Sequence, residues 1–340
     1  MRQAYPEFAP KSGLSRAEME SLQRRVAESA VFEDALPFDP ANVSLGDPEN
    51  ETLTGDSDTP LVAGIDQSFL DDRALSAVVV LRGGEVVERV HAVTDLDLPY
   101  IPGLLSFREG GPILDALSEL DTDPDLLVFD GSGRIHFRQA GLATHLGVIC
   151  DVPSIGVAKS LLCGTPDEDL DGRPEGWRTP IRADDSVDAV GGHPATPETT
   201  IGYAFQSRQY DSRPIVNPLY VSPGHRVSAE TAVDLISQLS GEYKLPEPTR
   251  LADAYAERGE GAVRRLTDYR IVPACLHVFS VVLNRVHLTA RGSTYRRASK
   301  DGPHHRLLLG YRAHGGARFP RRGVGGLRHR PEPGRYPDAG

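Results

Sequence analysis

The run Leu126-Leu127-Val128-Phe129, followed at once by Asp130-Gly131-Ser132-Gly133, constrains this chain more than any other stretch. Four consecutive apolar residues stopped by a turn signal fit a strand buried on both faces. The aspartate then stands at the mouth of that strand. An ionised carboxylate there is costly unless it is paired or bound to a cation. A second run of the same kind, Leu61-Val62-Ala63-Gly64-Ile65, ends in Asp66-Gln67-Ser68-Phe69. Taken alone, either aspartate could cap an ordinary turn. Two on separate strands raise the joint case for a cation site.

The remaining segments alternate. Leu14, Met19, Leu22, Val26 and Ala30 recur mostly at three- and four-residue steps, which predicts an amphipathic helix over Leu14 to Ala30. Residues 42–60 are acidic and rich in Gly, Pro, Thr and Asp, the composition of a solvated loop. Ala77 to Leu81 and Val86 to Val93 read as strands joined through the hairpin signal Gly83-Gly84. Pro112 to Leu120 and Gln139 to Leu146 suit helices, Ile155 to Leu162 is of mixed character, and Ile201 to Phe205 suits a late strand. Val227 to Leu239 reads as a helix with Ser228 and Glu230 near its start. The expected class is α/β, a mixed sheet flanked by helices. The acidic residues would then lie at strand ends, where open α/β sheets take their ligands.

Composition narrows the setting. No window approaches the apolar length of a membrane span, and the first residues lack the apolar core of a signal peptide, so a cytoplasmic chain without a membrane partner is expected. Three scattered cysteines (Cys150, Cys163, Cys275) show no metal spacing and fit buried thiols. Net charge is -11, yet residues 276–340 carry thirteen Lys plus Arg against three Asp plus Glu. Lysine is confined to Lys11, Lys159, Lys244 and Lys300. An acidic body poor in lysine fits a salt-rich cytoplasm; codon bias in a GC-rich genome is the alternative.

Several further residues carry chemistry. Glu109, in Ser106-Phe107-Arg108-Glu109-Gly110, is either a helix-entry acid or a third ligand. Hard oxygen ligands without paired Cys or His favour Mg²⁺ or Mn²⁺ over zinc. Lys159 in Gly156-Val157-Ala158-Lys159-Ser160 suits a phosphate as a point charge, or snorkels from a helix face. His136 and His225 are structural, or donate a hydrogen bond or proton beside a phosphate. Tyr100, held in Pro99-Tyr100-Ile101-Pro102-Gly103, is a stiff aromatic that either packs its loop on the core or enters a base step.

Together these motifs resemble the endonuclease V family of deoxyinosine repair nucleases. The resemblance runs from about Leu14 to Ala256. It rests above all on Pro99-Tyr100-Ile101-Pro102-Gly103 with Phe107-Arg108-Glu109 downstream, on Gly64-Ile65-Asp66-Gln67-Ser68-Phe69 and on Asp130-Gly131-Ser132-Gly133. Ile155-Gly156-Val157-Ala158-Lys159-Ser160, Asn217 to Arg226 and Leu245-Pro246-Glu247-Pro248-Thr249-Arg250 follow in the family's order. It implies a ribonuclease H-like fold and Mg²⁺-dependent hydrolysis, with Mn²⁺ able to substitute, at the second phosphodiester bond 3′ to a deaminated base, chiefly hypoxanthine. By resemblance, Asp66, Glu109 and Asp130 are the metal-site acids, and Lys159 and His225 stand close to the reacting phosphate. Tyr100 is the strand-separating wedge, and Pro102 beside it is a nucleic-acid-binding residue. Gly103, Leu105 and Gly131 line the pocket for the flipped base, with His136 beside it. The family more often has His-Pro-Arg where this chain has His136-Phe137-Arg138, which bears on the loop beside the pocket.

The expected division is a helix and acidic loop over residues 1–60, a nuclease core over 61–256 and a basic, Arg/Gly/His-rich, poorly ordered extension over 257–340. The expected partner is DNA containing deaminated bases, with inosine-containing RNA left open, and a monomer is expected. Another ribonuclease H-like nuclease, or a reader that binds inosine without cutting, are the alternatives.

Overall fold

Strand β1 (Leu61–Leu70) sends Ala63 and Ile65 into one hydrophobic core and Val62 into another on the opposite face. Strand β4 (Leu126–Asp130) divides Leu127 and Phe129 from Leu126 and Val128 in the same way. This is the period-two pattern of strands buried on both sides. The two pair in parallel, with Ile65 beside Phe129. The computed structural model describes residues 1–46, 58–70, 72–211 and 217–268. Most of the expected basic extension, all of it beyond residue 268, lies outside the described residues, as do Cys275 and part of the acidic loop.

The Gly83-Gly84 turn closes the expected hairpin of β2 (Arg73–Arg82) and β3 (Glu85–Asp95), with β2 antiparallel to β1. Strand β5 (Ser154–Ala158) runs parallel to β4. Four more strands, β6 (Thr165–Pro166), β7 (Arg178–Arg182), β8 (Thr200–Phe205) and β9 (Leu219–His225), join by antiparallel pairing. The order across the sheet is β3-β2-β1-β4-β5-β9-β8-β7-β6. β9 was not legible as a strand because Pro223 and Gly224 interrupt it. The proline sits where the register with β5 shifts, one of the few places a strand admits one.

Helices cover both faces. Helix α1 (Arg16–Ser29) starts at Ser15 with a complete capping box to Glu18, close to the bounds expected from its periodicity. Helix α2 (Leu105–Ser118) starts seven residues before the expected Pro112, which lies inside it. The proline leaves one backbone bond unmade. Burial of Ser106, Phe107, Glu109 and Gly110 ahead of it holds that first part helical. Helix α3 (Leu142–Cys150) completes the layer with α1 and α2, through Leu22, Val26, Ile113, Leu117 and Leu146. On the other face lie α4 (Ala229–Gln238), capped by Ser228, and α5 (Glu247–Asp268). α5 sets Ala252 and Ala256 against Leu75, Ala77, Val79 and Leu81 of β2. It runs across residue 256 to Asp268 without a break. Its first turn lies directly on β1: a Cβ on Gly64 would fall 2.0 Å from the Pro248 carbonyl oxygen.

Candidate active site

Beyond the Ile65–Phe129 pair, the next residue on each strand is a carboxylate, Asp66 and Asp130. Alternation turns both toward the face that carries α4 and α5. Lys159 follows β5 onto that face after Ile155 and Val157, and its Nζ lies 2.6 Å from Asp130 Oδ2. Glu109 comes from the second turn of α2, on the opposite face. It meets Asp66 and Asp130 in a cavity of about 210 Å³. Ile65, Gln67, Phe69, Ile113, Phe129 and Leu142 complete the wall.

The cavity is short of positive charge. Burial, then the neighbouring Asp130, pushes the Asp66 carboxyl up to about 8, against the pull of the Gln67 N–H and Lys159. Burial pushes Glu109 up to about 7; Arg108, 3.7 Å away, opposes this and Asp130 adds to it. Burial would lower the Lys159 ammonium, but the charge and hydrogen bond of Asp130, with Asp66 and Asp253 behind, hold it above its ordinary range.

One member of the cluster escaped the sequence reading. Asp253 projects its charge onto both Asp66 and Lys159 from α5. The signal was present: Leu251-Ala252-Asp253-Ala254-Tyr255-Ala256 places one acid among apolar residues of an amphipathic helix. Among the described residues, no three acidic, histidine or cysteine side chains stand close enough together to form a ready ligand set. The donor chemistry fits a hard divalent cation all the same. Carboxyls such as Asp66 and Glu109, pushed up by burial and by a neighbouring negative charge, gain most from one.

The aromatic loop stands apart from this cavity. Tyr100 is 64% exposed, and Pro102 is exposed beside it. Gly103 adopts φ +75°, and its buried carbonyl accepts hydrogen bonds from Gln23, His136 and Arg138. Phe137, where the resemblance leads one to expect proline, packs so closely that a Cβ on Gly103 would lie 3.2 Å from its ring. Leu105 is half-buried at the start of α2. Gly131 donates its N–H to the Val157 carbonyl at 3.0 Å. Gly103, Leu105 and Gly131 are not part of the wall of the acidic cavity.

Two of the expected site histidines lie away from the acidic cavity. His225 pairs in register with Ser154, whereas Asp130 is level with Val157, so His225 lies toward the opposite end of the sheet. Its Nδ1 accepts the Val31 N–H at 3.2 Å, and its Nε2 therefore donates to Asp151 at 3.1 Å. Burial lowers its pKa. It ties the end of β9 to the segment after α1 and to the C-terminal end of α3. His136 is 3% exposed and supports the Gly103 loop from within.

The model of the Endonuclease V family matches residues 47–254. The Endonuclease V of Natronomonas pharaonis is 59% identical over 257 residues, 76% of this chain and 96% of that one. The solved Endonuclease V of Streptomyces avermitilis is 30% identical at a TM-score of 0.58, over 76% of this chain and 99% of that one. A Ciona intestinalis Endonuclease V, solved with a 24mer DNA containing an inosine followed by a ribo-adenosine, shares the fold at 24% identity and a TM-score of 0.54, over 73% and 98% of the two chains.

A mixed sheet bearing acids just past the last paired residues of two adjacent parallel strands, flanked by helices, defines a ribonuclease H-like nuclease, a hydrolase of phosphodiester bonds. Within that class the chain belongs to the Endonuclease V family. Among the described residues no helix is long and apolar enough to cross a membrane.

Proposed function

We propose that the protein is a Mg²⁺-dependent DNA repair endonuclease, with Mn²⁺ able to substitute. It reads a deaminated base extruded from DNA, hypoxanthine foremost, and hydrolyses the second phosphodiester bond on its 3′ side. The observation that carries this reading is the placement of Asp66 and Asp130 side by side at the mouth of one acidic cavity. The inosine-bearing DNA held by the Ciona relative supports the choice of base.

Asp66 and Asp130 would hold the cation, with Glu109 and Asp253 as further oxygen donors. A divalent ion held by these residues would supply an acidified water and charge neutralisation at the leaving oxygen. Lys159, half exposed and positively charged, offers a point charge to the phosphate and orients Asp130. Tyr100 fills the space of the extruded base. Extrusion costs a few kcal/mol and is cheaper for a weakly paired base such as hypoxanthine. The reacting phosphate is offset from the base that is read, so no nucleophile has to reach the sugar.

Incubating the protein with an inosine-bearing oligonucleotide, with and without Mg²⁺, tests this. A single Mg²⁺-dependent nick at the second bond 3′ to inosine is expected. Binding without a nick would make the protein a reader. Cutting indifferent to inosine would make it another ribonuclease H-like nuclease.

A further inference from the structure

Three buried side chains from two distant segments converge on one backbone atom, the carbonyl oxygen of Gly103. Gln23 of α1 donates to it from Nε2 at 3.1 Å, His136 from Nε2 at 3.1 Å and Arg138 from Nη2 at 2.9 Å. A carbonyl oxygen has two lone pairs, so a third donor exceeds its ordinary need. The group is also closed on itself. Gln23 Oε1 accepts from Arg138 Nε at 2.8 Å, and Gln23 Nε2 reaches the Ala140 carbonyl at 3.3 Å as well. His136 Nδ1 accepts the Arg138 backbone N–H at 3.2 Å, which leaves the ring proton on Nε2, facing Gly103. Burial pushes His136 down to about 3, so the ring stays neutral in this tautomer.

Gln23 is 0% exposed, on the core side of α1. The helix already docks through Met19, Leu22 and Val26, and an apolar side chain at position 23 would hold it at least as well. What an apolar side chain could not do is grip the loop three residues after Tyr100. That loop is tied at a second point by Arg108 Nε, which donates to the Leu98 carbonyl at 3.2 Å. The exposed ring therefore projects from a segment clamped on both sides.

We infer that Gln23 is a positioning residue for strand separation: with Arg138 it fixes the Gly103 carbonyl, and so aims Tyr100 into the base stack. The leading helix then belongs to the lesion-reading apparatus as well as to the core. This rests on the reading of Tyr100 as a wedge.

The wedge matters only where two strands must be parted. The test compares cleavage of inosine in duplex and in single-stranded oligonucleotides, each variant assayed well below its melting temperature. Gln23→Leu should lower kcat/KM on the duplex about 10- to 100-fold, as small misplacements of a positioning group do, and leave the single strand essentially unchanged. Tyr100→Ala should show the same selectivity. Val26→Ala, which loosens α1 without touching the clamp, should leave the duplex-to-single-strand ratio alone. Should Gln23→Leu fail to fold, Gln23→Glu takes its place, since it keeps the volume and the Arg138 contact but loses the donor. If Tyr100→Ala harms both substrates equally, the wedge reading itself fails. If Tyr100→Ala is selective and the Gln23 variant is not, Gln23 is only part of the core and the inference is overturned.

Discussion

Lys159 and Asp130 are joined at 2.6 Å, but the lysine side chain is 52% exposed. An ion pair so open to water contributes little to stability. Its place beside the Asp66 carboxylate points instead to orienting Asp130 and drawing in a phosphate. Lys159→Met should leave the melting temperature close to that of the parent while kcat falls about 100-fold, the usual effect of losing one charge-stabilising donor. Mn²⁺ affinity measured by calorimetry should not weaken. A large loss of Mn²⁺ affinity would make the lysine part of the cation site.

Asp130→Asn and Asp66→Asn remove a carboxylate where the parallel pairing of β1 and β4 stops. Each should slow single-turnover nicking by about 10²- to 10³-fold with inosine binding retained. Asp253→Asn should cost less, about 10- to 100-fold, as supporting groups do. It should also bring the Asp66 carboxyl down, because the Asp253 charge helps to raise it. Carboxyl titration by NMR reads that shift independently of activity.

The acidic cavity gives stability a definite pH dependence. Asp66 and Glu109 are raised from 3.8 to about 8 and from 4.5 to about 7, so the folded protein holds protons that the unfolded chain releases. The stability they contribute is whole below the lower values and drains as pH rises through the upper ones. The buried histidines act oppositely. Burial lowers His136 to about 3 and His145 to about 4, so their contribution is present above 6.5 and is lost on acidification. Between about pH 6.5 and 8 the carboxyl effect outweighs that of these histidines. In chelator, the melting temperature should therefore fall from neutrality to mild alkali. Saturating Mg²⁺, or Asp66→Asn, should flatten that fall.

Tyr100 should keep its value in concentrated salt. At molar ionic strength the Debye length falls to about 3 Å and phosphate contacts contribute little. Stacking and pocket contacts remain. Tyr100→Ala should weaken binding of inosine in duplex DNA strongly at both low and molar salt, measured by fluorescence anisotropy. An effect confined to low salt would assign the tyrosine to backbone contacts instead.

Ser15→Ala tests the frame of the leading helix. Loss of the capping box should lower stability by about 1 kcal/mol in urea titration without altering the duplex-to-single-strand cleavage ratio. A changed ratio would mean that the cap, and not Gln23, sets the loop.

Much of this was legible in the chain. The apolar runs ending in Asp66 and Asp130 marked both strands, because burial on two faces leaves an unbroken hydrophobic string. The hairpin turn and the capping signals at Ser15 and Ser228 are local, and local signals survive in a single sequence. Pairings across the sheet do not. Nothing near His225 announces that antiparallel pairing carries it away from Asp130, and the motif around it invited the opposite conclusion. Asp253 was hidden for a related reason: its meaning depends on α5 lying across β1. Pro112 misled because proline so often begins a helix, whereas here it sits within one.

The missing side chain at position 64 has a reach out of proportion to its size. The Pro248 carbonyl occupies the volume that a single methyl would claim. Gly64→Ala would therefore lift the last described helix off its strand and carry Asp253 away from its fellow acids, disarming the cavity from a position two residues short of Asp66.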